Sequence, residues 1–294
     1  MHVSLDSALG RQRRLNSVGE SVLQIAPNAA AAYSLRSLTG GDPKVVRVRR
    51  DTDGGAGDND EQDFTASGVS SGALVDFVGS GNDGFVETWY DQSGNSEDAV
   101  QATAGNQPKI VNAGSLVVDS AGLPEIDFDG SNDCLTASSY SRSGEDLPLT
   151  MISVFNQDVA GIDYVVALNQ TNNNAFDRIL LRTDSFDYGR RATDNTFKAG
   201  SGSDPDVNTK YLFTAINAGT TSSGFVDGSS IFSGVDTNVG TQALNQINIG
   251  LNTGDSSANN PFDGKMQEII IYETDQSDNR PALEANIMTN YGIS

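Results

Sequence analysis

From Leu149 onward the chain repeats one pattern, a short run rich in β-branched and aromatic residues closed by a cluster of Asn, Asp, Ser, Gly or Pro. Thr150 to Phe155, Tyr164 to Leu168, Ile179 to Arg182, Tyr211 to Ile216, Gly224 to Val226, Gln246 to Leu251 and Lys265 to Tyr272 are such runs. Three of the six gaps between them fall near the roughly 8–12 residues expected of consecutive sandwich strands. A strand hides one face by packing on a second layer, so a chain of these runs folds sheet on sheet. With 294 residues, 31 glycines and 19% charged residues, the expectation is one large all-β core with short strands and long polar loops.

Earlier segments are read the same way. Ala29 to Ala32 with Tyr33, Leu35 and Leu38 reads as a short helix or turn. Val45, Val46 and Val48, interleaved with Arg47, Arg49 and Arg50, read as a strand with one basic face. Phe64-Thr65 begins a further strand, Ser71 to Phe77 forms a helix capped by Ser70 or Ser71, and Lys109 to Val111 is a strand. In Leu123 to Asp133, Ile126 and Phe128 share one parity and point inward, while Glu125, Asp127 and Asp129 point outward. A closing helix starts near Ser277 and lays Leu283, Ile287 and Tyr291 against the sheet.

The net charge of −21 is unevenly spread. Residues 1–50 carry eight Lys/Arg against three Asp/Glu; the other 244 carry ten against thirty-six. An acidic body lacks the cationic face that phosphate contacts need, which argues against nucleic acid as its partner. Residues 1–28 read as a basic arm and 29–294 as the sandwich. The weak helical spacing of Ser7 to Leu23 would order against a partner or against the body, with Arg11, Arg13 and Arg14 as the docking residues; a solvated arm is the other reading.

Several chemistries are excluded. Cys134 is the single cysteine, so no intrachain disulfide forms, and it is expected as a small buried residue. His2 is the single histidine, which removes a Ser-His-Asp triad and any multi-histidine metal site. Phosphate-loop and dinucleotide fingerprints are absent, so no cofactor is expected. No apolar run approaches the ~20 residues of a membrane span, and no h-region opens the chain, so no membrane partner and no export signal of its own are expected. The acidic stretch Asp51 to Glu61 raises Ca2+ as a candidate ion, although Gly55 stands where an EF-hand needs a ligand; a polar hairpin tip is the alternative.

Phe85 to Asn95 holds the single tryptophan and runs an aromatic pair into the turn-formers Asp91, Ser93, Gly94 and Asn95. Trp89 or Tyr90 could stack on a sugar while Asp91, Gln92 and Asn95 bond its hydroxyls, and these five are the candidate ligand-binding residues. The alternative is structural: one aromatic of the pair faces the core, and Asp91 to Asn95 fasten a turn through Asx bonds. Glu87 with Asp91, or Glu125 with Asp127, could be drafted as a glycosidase pair, but each reads more simply as surface carboxylates.

Ala31 to Leu38, Val45 to Arg50 and Trp89 to Asn95 together resemble the opening of the catalytic domain of α-L-arabinofuranosidase B. Phe128 to Asp133 and Phe262 to Tyr272 resemble the wider class of concanavalin-A-like, laminin-G-like domains. The resemblance implies a concanavalin-A-like jelly-roll β-sandwich with an N-terminal extended or helical arm and a short C-terminal helix. With the arm runs Ala8 to Asn16 and Gln24 to Pro27, the chain is similar to bacteriophage structural proteins. That implies a non-enzymatic virion component (a fibre, decoration or tail-associated protein) assembled in the bacterial cytoplasm. It would dock on other virion proteins, contact host-surface glycans and form a homo-oligomer. An arabinofuranosidase-like glycoside hydrolase is the first alternative and a bacterial carbohydrate-binding adhesin module the second. The departures matter: Phe186 to Gly189 matches a Phe-Asp-Tyr-Gly run of the enzymes, but Asp184-Ser185 stand where they carry a vicinal cysteine pair. Gly79 to Gly84 replaces a cysteine-closed loop, so no catalytic residue is carried over.

Overall fold

The computed structural model describes residues 19–51, 60–143, 148–169, 178–191, 197–237, 243–251 and 260–294. Every strand pairing in it is antiparallel. One sheet runs, neighbour to neighbour, Glu61–Thr65, Lys44–Asp51, Asp83–Trp89, Ala99–Val100, Leu135–Ala137, Gln246–Ile249, Tyr164–Asn169, Arg178–Arg182, Asp187–Arg191 and Phe197–Gly200. The other is centred on Asp263–Tyr272, which pairs with Leu149–Gln157 along one edge and with Ile126–Asp129 and then Ala31–Ser34 along the other. Lys210–Asn217, Thr221–Val226 and Ser229–Asp236 continue it beyond Leu149–Gln157. Lys109–Asn112 pairs with both Asp83–Trp89 and Ile126–Asp129 and so forms the seam between the sheets. This is the all-β sandwich with a short C-terminal helix that the strand spacing and the resemblance imply.

Period-two alternation builds the main core. Val46, Val48, Val86, Trp89, Ile126, Phe128, Ile269 and Ile271 are fully buried between the sheets, while Arg47, Phe85 and Asp127 lie on outer faces. Ile126 and Phe128 point inward as expected. A second core lies on the outside of the second sheet. There Ile152, Val154, Leu212, Ile270 and Tyr272 are covered by Leu283, Ile287 and Tyr291 of the helix Arg280–Tyr291. Val22 and Ala26 join this core, Tyr272 Oη donates to Ala26 O at 3.0 Å, and Asn286 Nδ2 donates to Glu20 O at 2.6 Å. The segment from Gly19 to Asn28 therefore packs on the body. Arg11, Arg13 and Arg14 lie outside the described residues.

Several local expectations are corrected. Ala29 to Leu38 is neither helix nor turn: Ala31–Ser34 is a strand with all four residues buried. It pairs with Glu268–Ile271 and sends Ala31 and Tyr33 to the main core and Ala32 to the second. Burial on both faces overrides alanine's helix propensity. Phe64-Thr65 ends the strand Glu61–Thr65 rather than beginning one. Two short helices follow, Ala66–Ser70 capped by Thr65 and Ala73–Val78 entered through Gly72 at φ 93°, so neither Ser70 nor Ser71 caps the second. Asp187–Arg191, Phe197–Gly200 and Ser229–Asp236 are strands without an apolar run to announce them. Phe232 explains part of this: a Cβ on Gly200 or Gly224 would fall 2.4 or 2.3 Å from its ring, so two strands carry glycine where the ring lies.

Candidate functional site

The Phe85 to Asn95 stretch is a latch on the first strand. Trp89 has no exposed surface and packs its ring 5.8 Å from that of Tyr33. Asp91 accepts from Ala32 N at 2.8 Å, Ser93 N at 2.9 Å, Ser93 Oγ at 2.6 Å and Glu97 N at 3.2 Å. Gln92, 7% exposed, accepts from Leu38 N at 2.8 Å and donates to Ser34 O at 3.0 Å and Arg36 O at 2.9 Å. Asn95 Nδ2 donates to Ala29 O and Ala30 O. Tyr90 turns to the outer face, where its hydroxyl donates to Asp63 Oδ1 at 2.7 Å; Lys44 and Arg47 hold the same carboxylate. Those cations keep Asp63 well below the usual carboxylate range. The structure thus keeps the five residues together but commits Asp91, Gln92 and the Asn95 amide nitrogen to hydrogen bonds within the protein, and it closes Trp89 to any ligand.

A cleft of about 610 Å³ opens instead at the seam, one strand face away. Pairing aligns its floor: Arg49 lies opposite Phe85, Phe85 opposite Lys109, and Lys109 opposite Asp127. Phe85 is half-buried, with the Arg49 guanidinium 4.9 Å and the Lys109 ammonium 5.5 Å from its ring centre. Gln107 fixes Arg49, accepting from its Nε at 2.8 Å while donating to Gln101 O at 2.7 Å. Asp83 holds Lys109 at 2.8 Å, and Asp51 lies 3.6 Å from Arg49 Nη1. Ala104, Gly105, Asp129 and Asp133 form the walls, and Asn132 Nδ2 donates to Asn106 Oδ1 at 3.0 Å between the two segments that carry them.

Asp133 is the unusual group of this cleft. It is 6% exposed, and its Oδ2 accepts from Asp129 N at 3.0 Å, while Oδ1 has no hydrogen-bond partner among the described residues. Burial pushes its carboxyl up to about 6. Burial also raises Asp127 despite Lys265 at 3.4 Å. Sequence reasoning placed Asp127 and Asp129 outward but did not join them to Arg49, Phe85, Gln107 and Asp133. The signal available was the shared outward parity of the basic strand and the acidic strand; the seam strand that unites them is not visible without the fold.

The other candidates separate. Glu125, expected outward, is 4% exposed; burial and the nearby Asp119 charge hold its carboxyl up to about 7. Cys134 is 6% exposed, with its thiol raised by burial. Most of the acidic stretch after Asp51 lies outside the described residues, and among those described no three His, Cys, Asp or Glu side chains gather to hold a metal ion. Among the described residues no helix is long and apolar enough to cross a membrane. Phe186 lies in the main core, and Asp187 pairs with Arg182.

No protein-family model and no curated protein matches the chain. Solved structures do. An arabinofuranosidase complexed with arabinofuranosyl-α-1,2-xylobiose superposes with TM-score 0.65 and 15% identity, over 92% of this chain and 64% of that one. A GH54 α-L-arabinofuranosidase soaked with a cyclic sulfate inhibitor does so with TM-score 0.65, 16% identity and the same coverage. This chain therefore spans less than two thirds of those proteins, and at that identity the likeness is one of fold.

Proposed function

We propose that the protein binds carbohydrate at the seam cleft without hydrolysing it, and that it serves as an attachment component of a phage particle. The observation that carries the carbohydrate reading is the chemistry of the cleft. A half-buried phenyl ring is surrounded by planar guanidinium, amide and carboxylate groups, both cations of the cleft lie beside carboxylates, and Asp133 Oδ1 has no hydrogen-bond partner among the described residues. Such a surface stacks on a C–H face and bonds hydroxyls. The arabinofuranosyl ligand of the similarly folded enzyme supports a polyhydroxylated ligand.

The particle role rests on the arm's resemblance and on the charge split of the chain. In this reading Arg11, Arg13 and Arg14 dock on other virion proteins, and the sandwich faces host glycans from a homo-oligomer. Because Val22 and Ala26 belong to the second core, the informative truncation removes residues 1–18 only. Loss of particle incorporation with an unchanged melting temperature is expected, and normal incorporation would remove the anchoring role.

For the cleft, calorimetric titration with a panel of neutral oligosaccharides is expected to show binding that Phe85→Ala abolishes and Asp133→Asn weakens. Binding that survives Phe85→Ala would place the ligand elsewhere. One observation favours a hydrolytic second reading: a carboxyl that keeps its proton to about 6 beside Asp129 and Asp127 is a general acid in form. The expected outcome with a chromogenic arabinofuranoside is no turnover at high protein concentration; turnover lost in Asp133→Asn would replace the binding reading with catalysis.

A further inference from the structure

We infer that the seam cleft is the near end of a longer track on which an uncharged, unbranched oligosaccharide lies across the strands; the inference rests on the carbohydrate reading above. Strand register carries it. The line Arg49, Phe85, Lys109, Asp127 that floors the cleft does not stop at the seam: Asp127 lies opposite Lys265, Lys265 opposite Asn156, and Asn156 opposite Lys210. Seven residues on seven consecutive strands thus share one outer face. Six interstrand spacings make about 29 Å, room for a chain of several sugar rings rather than one.

Beyond Arg49 the register continues to the exposed Glu61, with Ala104, Gly105 and Gln107 lining the cleft beside Arg49. At the other end, Lys210 donates to the carbonyl of Tyr291 at 3.1 Å, where the C-terminal helix begins to cover the apolar half of the sheet. Between the ends the surface is polar and partly open, with side-chain exposures of 29% at Lys109, 35% at Asp127 and 23% at Lys265.

Each cation along the line is held by a carboxylate, which argues against an anionic ligand. Arg49 faces Asp51, Lys109 holds Asp83, Lys265 holds Asp127 and Asp158, and Lys210 holds Asp119. A polyanion would have to displace carboxylates from every cation, and a polycation would have to displace lysines. Hydroxyl groups can add to these pairs without breaking them, since a paired carboxylate and a paired ammonium each keep hydrogen-bonding capacity. Asn156 Oδ1 is buried with no hydrogen-bond partner among the described residues, so replacing this side chain leaves no protein group unpaired.

The test is calorimetry on the full chain with arabino-, xylo- and chito-oligosaccharide series from mono- to hexasaccharide. The inference predicts that affinity in the accepted series rises about tenfold between the disaccharide and the hexasaccharide, and that added sodium chloride leaves it unchanged. Asn156→Ala should weaken the hexasaccharide about threefold (~0.65 kcal/mol). Asn156→Lys, which adds bulk and an unpaired charge, should reduce the hexasaccharide to the disaccharide value. Neither variant should alter monosaccharide binding. Equal affinity for short and long chains, a steep salt dependence, or Asn156 variants that act equally on all lengths would overturn the track while leaving the cleft as a sugar site. No binding by any series would overturn the carbohydrate reading itself, and the track with it.

Discussion

Asp91 accepts four hydrogen bonds from groups on two separate stretches of chain, and its removal leaves several donors unsatisfied at once. Asp91→Ala is expected to cost about 3 kcal/mol and Gln92→Ala about 2 kcal/mol in chemical denaturation, with carbohydrate affinity unchanged in the folded fraction. Loss of affinity without loss of stability would return the turn to the ligand. The alternation of Trp89 and Tyr90 was legible in the sequence, since one faces the core and one the outer surface. The tie was not, because Asp91 reaches Ala32 across 59 residues and Gln92 reaches Leu38 across 54. Asx-turn chemistry can be read locally; a partner that far away cannot.

Glu125 supplies a pH test at the same scale. Its carboxyl ionises near 4.5 when free and near 7 in the fold, so the folded state holds the extra proton between those values. Stability contributed by this group is complete below about pH 4.5 and falls as pH rises through about 7. Glu125→Gln should flatten that slope and stabilise the protein above pH 7 by at most about 3 kcal/mol. Equal slopes in variant and parent would show that Glu125 titrates normally.

Elements differ in how far the sequence exposes them. The run Lys265 to Tyr272 was plain as a strand, and the register of Leu283, Ile287 and Tyr291 was plain as a helix face, because both follow from hydrophobic period. What the period does not reveal is how this strand and helix are joined. Glu268, fully buried, takes the Arg36 guanidinium at 2.7 and 3.1 Å and the Tyr291 hydroxyl at 3.0 Å, tying the central strand to the segment after Ala31–Ser34 and to the helix end. Glu268→Ala strands Arg36 and should cost about 3–5 kcal/mol. Gly264 has a different role: at φ 153° a Cβ would fall 2.2 Å from Asn156 O. Gly264→Ala should therefore break the pairing of Asp263–Tyr272 with Leu149–Gln157 at its Gly264–Gln157 end. Loss of amide protection confined to that end is the expected exchange result; unchanged protection would contradict the steric account.

For the whole molecule, the sheet content and single large core were legible from strand spacing, whereas the cleft was not, because it is a product of closure. Lys109–Asn112 brings the basic strand and the acidic strand onto one face, and only then do Arg49, Phe85, Asp127 and Asp133 become neighbours. Trp89 offers a global control. As the single tryptophan, with no exposed surface, it should emit at short wavelength, resist iodide quenching and stay silent when sugar binds. A ligand-dependent shift would contradict its place in the core.

The most direct measurement is an amide chemical-shift titration of the isotope-labelled protein with the oligosaccharide that binds best. The account predicts shifts concentrated at Arg49, Phe85, Gln107, Lys109, Asp127 and Asp133, extending to Lys265 and Asn156 for a long oligosaccharide, with Asp91 to Asn95 unmoved. Shifts centred on Tyr90 to Asn95, with the seam residues unmoved, would contradict it.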